Sequence, residues 1–161
     1  MIEIRPVKHD EQEELFAMAQ RSWSEWMPHA RAVTDPGEGA RYFASQYQID
    51  KPHTSFYWAL IEAAHIGFAH VELREDWRGL SWAEITDFYI DPQWRRRGNG
   101  TEFAYALLEW LEEQGIYRVD LNVRVSLLPV AATFWDRLGF EVVAHRFRRQ
   151  DAEPYPKSVR S

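Results

Sequence analysis

The sequence predicts a mixed α/β fold: a mixed, mostly antiparallel sheet in the order β-α-α-β-β-β-α-β-α-β, with helices on both faces. Three observations predict it. Residues 55–90 hold three apolar, β-branched or aromatic runs divided by polar turns. Phe103, Ala104, Leu107, Leu108 and Leu111 recur at three- and four-residue spacing, with Gly115 behind them. Strand-like and helix-like stretches then alternate to residue 147.

Each element has its own reason. Ile2 and Ile4 alternate with Glu3 and Arg5, a short strand that Pro6 ends. Over residues 10–22, Leu15, Phe16, Ala19 and Trp23 share one helical face, and Asp10 is placed to cap its start. The stretch from Trp26 to Gly39 carries two Pro and two Gly and reads as a loop or a broken helix. A second helix is expected over 38–48, with Tyr42, Phe43 and Tyr47 along one side. Strands follow at 55–62, at Ile66–Leu73 after a turn at 62–65, and at Trp82–Ile90 after a polar turn holding Trp77 and Gly79. Asp91-Pro92 closes the last of these, since proline cannot donate to a ladder. After the 103–111 helix, Val119, Leu121 and Val123 alternate on a strand. Pro129 opens a helix that Gly139 ends, and Phe140–Phe147 is expected as a last strand before a loosely held tail from about 150 to 161.

The 161 residues suit one domain. With 45% hydrophobic and 27% charged residues, the chain can bury a core. Zero cysteines exclude disulfides, iron–sulfur clusters, thiolate zinc sites and a cysteine nucleophile. Nineteen basic against 25 acidic residues, a net of -6, disfavour a broadly basic surface, so no nucleic-acid partner is expected. No apolar run reaches the roughly 18 residues of a membrane span, and the N-terminus has no apolar signal core. The expectation is a cytoplasmic chain without membrane contact. Aromatic residues make up 15%, enough to line a ligand cleft as well as fill a core.

The segment Arg95-Arg96-Arg97-Gly98-Asn99-Gly100-Thr101 sits between a strand and a helix. Two glycines one residue apart let backbone N–H groups converge. The helix start adds unsatisfied amides and the positive end of its dipole. Together they make an anion cradle suited to a diphosphate, with arginines beside it. The plainer reading of the bare glycine pair is a turn among solvated arginines. A dinucleotide fingerprint fails because its third glycine would fall at Phe103, and a Walker A loop fails because Gly100-Thr101 lacks the lysine.

Arg95-x-x-Gly98-x-Gly100 resembles the Arg/Gln-x-x-Gly-x-Gly/Ala signature of the GNAT superfamily of acyl-CoA-dependent N-acyltransferases. Asp87-Phe-Tyr-Ile-Asp-Pro92 looks like the end of that family's fourth strand, and Ala131–Phe140 like its last helix leading into Leu138-Gly139-Phe140. The resemblance spans residues 2–148 and is strongest over 87–140. It implies an acyl-CoA-binding part at about 82–140 and a variable acceptor-binding part at about 10–55. It also implies a sheet opening between the strand ending at Ile90 and the strand at 118–123. There the pantetheine arm would pair with Phe88, Tyr89 and Ile90, and the diphosphate would sit on Arg95, Arg96, Arg97, Gly98, Asn99, Gly100 and Thr101. A backbone N–H near Tyr89 or Ile90 would polarise the acyl carbonyl. Acetyl-CoA is then the cosubstrate and no metal is needed.

Two positions depart from the family pattern. The asparagine that many members carry before the last helix is replaced by Leu127 or Leu128, depending on the counting anchor. The tyrosine that would protonate the departing thiolate is Trp135, whose indole is a donor but not a usable acid. Trp135 is instead expected against the pantetheine.

For the base, Glu84 is the first choice and Asp87 the second; their spacing of three places them on opposite faces of a regular strand. The plainer roles are a solvated Glu84 and an Asp87 paired with an arginine. Tyr89 shares the parity of Asp87. His53, His65 and His70 fall before a strand, in a turn and within a strand, and no metal-ligand spacing appears. Trp23 and Trp26 are candidates to box an amine by cation–π contact, or else core residues, as are Tyr42 and Phe43. Trp77 and Trp82 suit a homodimer surface. The leading function is N-acetyl transfer from acetyl-CoA to a small-molecule amine or a protein amino group. A CoA-binding module with little turnover and a protein-interaction domain are the competing classes.

Overall fold

The computed structural model describes residues 1–26, 44–123 and 128–145, with backbone alone at Trp26 and Leu128. Two compact units divide the chain, Met1–Arg124 and Val125–Ser161.

The first unit is built on a five-stranded sheet in sequential order. Its strands are β1 (Glu3–Pro6), β2 (Thr54–Ile61), β3 (Ala64–Glu75), β4 (Ser81–Ile90) and β5 (Val119–Leu121). The first four run antiparallel and β5 pairs parallel to β4. The β2–β3 turn is shorter than expected: Glu62 and Ala63 alone make it, at φ 49 and 68 as a two-residue hairpin turn requires.

Cross-strand register sorts the side chains. Phe56, Trp58, Leu60, Phe68 and Tyr89 face one way and pack with Leu15, Met18 and Ala19 of helix α1 (Gln12–Trp26) and with Tyr47. On the opposite face Tyr57 meets Trp110, and Phe88 stacks on Phe103 at 4.8 Å, both from helix α2 (Asn99–Glu113). Helices therefore cover both faces, as the sequence predicted.

The start of α1 differs in its cap. A 3₁₀ turn, His9–Glu11, precedes it, and the Glu11 carboxylate, not Asp10, accepts the Lys8 N–H at 2.8 Å. The helix also runs to Trp26 rather than stopping near 22. Of the expected helix at 38–48, residues 44–46 are helical; Tyr42 and Phe43 lie outside the described residues. Gly115, at φ 80, follows the end of α2 as expected.

In the second unit, helix α3 (Leu128–Arg137) carries Pro129 in its first turn and is closed by Gly139 at φ 87. The expected last strand is absent over 140–145. Val142 and Val143 are adjacent, 71% and 80% exposed, and no ladder forms with either. β-Branched residues favour a strand only against a neighbour that takes their N–H and C=O groups. Phe147 and the tail lie outside the described residues.

Candidate functional site

Among the described residues, pairing between β4 and β5 covers Ala83–Ile85 against Val119–Leu121 and goes no further. The remaining half of β4 presents its outer edge. The direction of its backbone follows from one bond: the Asp91 N–H donates to Ile66 O at 2.8 Å. Antiparallel pairs alternate, so Tyr89 turns its N–H and C=O toward Phe68 on β3, whereas Ile90 turns its own outward.

A cradle adjoins this edge. A 3₁₀ turn, Pro92–Trp94, leads into Arg96 at φ 59 and Gly98 at φ 80, which caps α2. A Cβ at Gly98 would meet nothing within 4 Å, so the backbone is open there. The Asn99 side chain turns inward instead and braces the loop by donating to Trp94 O at 2.8 Å. The first amides of α2 have no intrahelical acceptor and carry the positive end of its dipole. Arg96 and Arg97 are exposed beside them. These residues fit a diphosphate.

Arg95 is turned away from that cradle. Its Nε donates to Ile90 O at 2.7 Å, its NH1 and NH2 grip the Glu25 carboxylate of α1, and its guanidinium lies 5.2 Å from the Tyr89 ring centre. The bond to Glu25 raises the Arg95 pKa. Tyr89 is buried, with its hydroxyl 3.4 Å from Glu25, and burial raises its pKa.

Glu84 and Asp87 do not lie on opposite faces. Register passes from His70↔Asp87 to Val71↔Ile85, leaving Thr86 as a bulge. The extra residue resets the alternation, so Glu84, opposite Glu72, and Asp87, opposite His70, share the α1 face. Arg74 reaches Glu72 Oε2 at 2.6 Å and Glu84 Oε2 at 3.5 Å, and Asn122 Nδ2 donates to Glu84 at 3.3 Å. His70 Nδ1 lies 3.2 Å from Asp87 Oδ2.

Nothing in the sequence marked His70 or Glu72 beyond their position in a strand. The available signal was Phe68-x-His70-x-Glu72, polar residues on the parity that points a phenylalanine into the core. Trp23 is half-buried against the α1-side core and donates to Tyr47 Oη at 3.0 Å. The Trp26 side chain lies outside the described residues. Trp77 is 92% exposed, while Trp82 lies beneath Arg118 at 4.5 Å. In the second unit, Trp135 is buried between Phe134 and Phe140, at 4.9 and 5.1 Å.

A pocket of about 360 Å³ opens on the α2 face near Tyr57, Val71 and Trp110, and none of the expected site residues lines it. Among the described residues no cluster of His, Asp and Glu could hold a metal ion, and no helix is long and apolar enough to cross a membrane.

The family model for acetyltransferases of the GNAT type matches residues 13–140. The fold is similar to that of a transcriptional regulator from Bacillus halodurans, at 17% identity and TM-score 0.70 over 92% of this chain and 99% of that one. It is also similar to an aminoglycoside acetyltransferase from an uncultured soil metagenomic sample, at 16% identity and TM-score 0.66 over 92% and 95%. A ribosomal-protein-alanine N-acetyltransferase from Brucella melitensis aligns at 11% identity and TM-score 0.69 over 93% and 99%. At these identities the likeness establishes the fold. No curated protein sequence matches the chain.

Proposed function

The chain belongs to the GNAT acetyltransferase family, and from that premise we propose that it transfers an acetyl group from acetyl-CoA to a primary amine by direct attack, without a covalent enzyme intermediate. One observation carries the reading. Among the described residues the pairing of β4 with β5 ends at Ile85, and the unpaired outer edge of β4 runs to Ile90, whose carbonyl is held by Arg95 of the loop that leads through the left-handed Gly98 into α2. An extended amide-bearing arm and an anion are the ligands such neighbours suit.

In this proposal the amides of residues 96–101 hold the diphosphate, and Phe88–Ile90 pair with the pantetheine. The outward N–H of Ile90 is the donor to the thioester oxygen as negative charge develops there. Acetyl-CoA, when bound, supplies an activated acyl group. The protein must position the amine and accept its proton. Glu84 and Asp87 face the same side of the sheet and are the carboxylates available. Asp87 already engages an imidazole, whereas Glu84 is engaged by Arg74 and Asn122. Trp135 stands where the family tyrosine would, so thiolate departure relies on the acidity of the thiol itself. The protein is proposed to act as one acetyltransferase domain.

Thiol release from acetyl-CoA, followed with a panel of primary alkylamines, aminoglycosides and peptide N-termini, tests this. The expected result is amide formation matching thiol release for at least one amine. Tight CoA binding with no turnover across the panel would instead identify a CoA-binding module.

A further inference from the structure

The α1 face of β3 and β4 holds a polar group that is incompletely satisfied. His70 is 4% exposed, stacked on Phe56 at 4.3 Å between ring centres, with Tyr47 at 5.9 Å. Asp87 faces its Nδ1 at 3.2 Å. Its Nε2 is buried and has no hydrogen-bond partner among the described residues. That nitrogen looks toward Glu72, whose Oε1 is 3.9 Å away, beyond hydrogen-bond reach. Glu84 lies across from Glu72, and Arg74 spans the two. Among the described residues, the carboxylates Glu72, Glu84 and Asp87 thus outnumber the one guanidinium paired with them, and they reach solvent, with Glu72 21%, Glu84 23% and Asp87 25% exposed.

Chemistry narrows the ligand. A buried polar atom without a partner is rare. A carboxylate at Nδ1 selects the tautomer that donates there, which leaves a lone pair on Nε2. A lone pair beside a carboxylate oxygen is a place for a group with several N–H donors and positive charge. A primary ammonium has both, while an anion or an ether has neither.

We propose that Nε2 of His70 and the Glu72 carboxylate receive the ammonium group of the acceptor, and that His70 takes its proton while Asp87 holds the ring. The assignment rests on the acetyltransferase reading and names its substrate class: cationic primary amines, with dications preferred because Glu84 faces any second charge. In the step, one N–H bond of the ammonium breaks, its electron pair stays on nitrogen, and the proton bonds to Nε2. The imidazolium is stabilised by Asp87 on one side and Glu72 on the other. The released pair forms the C–N bond at the thioester carbon as the C–S bond breaks, the thiolate leaves with that bond's electrons, and the second N–H proton, made acidic by the new acyl group, passes to that thiolate to leave the neutral amide and the CoA thiol.

The test uses the full chain saturated with CoA. Its first readout is nitrogen NMR of histidine-labelled protein titrated with putrescine, with butanediol as the uncharged control. The Nε2 resonance of His70 should move with putrescine alone, and Glu72→Gln should weaken that response at least tenfold. The second readout is kcat/KM for putrescine across pH. His70→Gln should lower it by roughly 10²–10³, the range of a positioned base. The loss should narrow as pH rises toward the alkylamine pKa of about 10, where solvent deprotonates the substrate. Glu72→Gln should raise KM with kcat nearly kept, and CoA affinity should match wild type in both variants. An unmoved Nε2 resonance while putrescine is acetylated overturns the proposal, as does a wild-type kcat/KM for folded His70→Gln from pH 6 to 9. A wild type that acetylates no amine defeats the acetyltransferase reading instead, and the NMR titration still decides whether this face binds an ammonium. If His70→Gln does not fold, the wild-type and Glu72→Gln titrations decide.

Discussion

Gly67→Ala should be damaging out of proportion to one methyl group. Gly67 sits opposite Ile90, where β3 and β4 approach closely. A Cβ there would lie 2.2 Å from the Tyr89 carbonyl oxygen, 2.9 Å from Ile90 Cδ1 and 3.1 Å from Ile90 Cα. Real contacts of this kind do not fall below 3.0 Å, so the strands must part by about 0.8 Å. The obstacle is backbone, which cannot rotate aside as a side chain would. Overpacking of this kind costs about 1–3 kcal/mol. Parting the strands also strains the neighbouring bond from Asp91 N–H to Ile66 O, worth about 1 kcal/mol. A loss of about 2–4 kcal/mol should lower the thermal midpoint by roughly 5–15 °C for a chain this long. The displaced segment carries the outward N–H of Ile90, so CoA affinity should also fall, by about tenfold. Urea denaturation and CoA titration of the variant check both. A variant with the wild-type denaturation midpoint and the wild-type CoA dissociation constant would refute the close approach and the role given to this edge.

Acid should weaken the anchor between β1 and the start of α1. Two bonds from Arg5, with help from the Lys8 amide and Trp58 Nε1, hold the Glu11 carboxyl at about 2 against the opposing effect of burial. A carboxyl depressed in the folded state stabilises above its ordinary value and loses that stabilisation as pH falls through the folded value. Glu11→Gln should therefore cost about 2 kcal/mol at pH 7, after allowance for solvent screening, and the difference from wild type should vanish by about pH 2 in urea titrations. Glu84→Gln should raise KM for putrescine roughly tenfold with kcat kept, as for a charge that binds rather than reacts; a kcat lower by 10²–10⁴ would make Glu84 the base. Trp135→Phe should retain most turnover, since an indole cannot supply the thiolate's proton, and a collapse of kcat with CoA still bound would show otherwise.

The fold was legible because its signals are local. Hydrophobic periodicity placed α2, Gly115 its end, and Asp91-Pro92 the end of β4 before it. The motif Arg95-x-x-Gly98-x-Gly100 marked the turn into α2 for the same reason: a left-handed glycine before a helix, here Gly98, leaves a mark in sequence. Three things were not legible. The bulge at Thr86 has no residue signature, yet it moves Glu84 and Asp87 onto one face, so alternation counted along β4 gave the wrong geometry. His70 acquires its meaning only from Asp87 on the next strand and Phe56 on the previous one, contacts set by register. The direction of Arg95, toward Glu25 rather than the cradle, depends on where α1 ends, and α1 runs beyond the residue at which its apolar pattern fades. Phe140–His145 shows the reverse error, since its strand-forming residues pair with no strand among the described residues and make no ladder there.

The most direct test of the central claim is the thermal midpoint with and without CoA for wild type and Gly98→Val. Selective binding to the folded chain adds about 2.7 kcal/mol of stability at a hundredfold excess over the dissociation constant. Gly98→Val strains a left-handed backbone position and fills the open cradle, so its midpoint should start lower. The decisive quantity is the rise on adding CoA. It should reach several degrees for wild type and nearly disappear for Gly98→Val. No rise for wild type, or an equal rise for both proteins, would contradict a diphosphate site at residues 96–101.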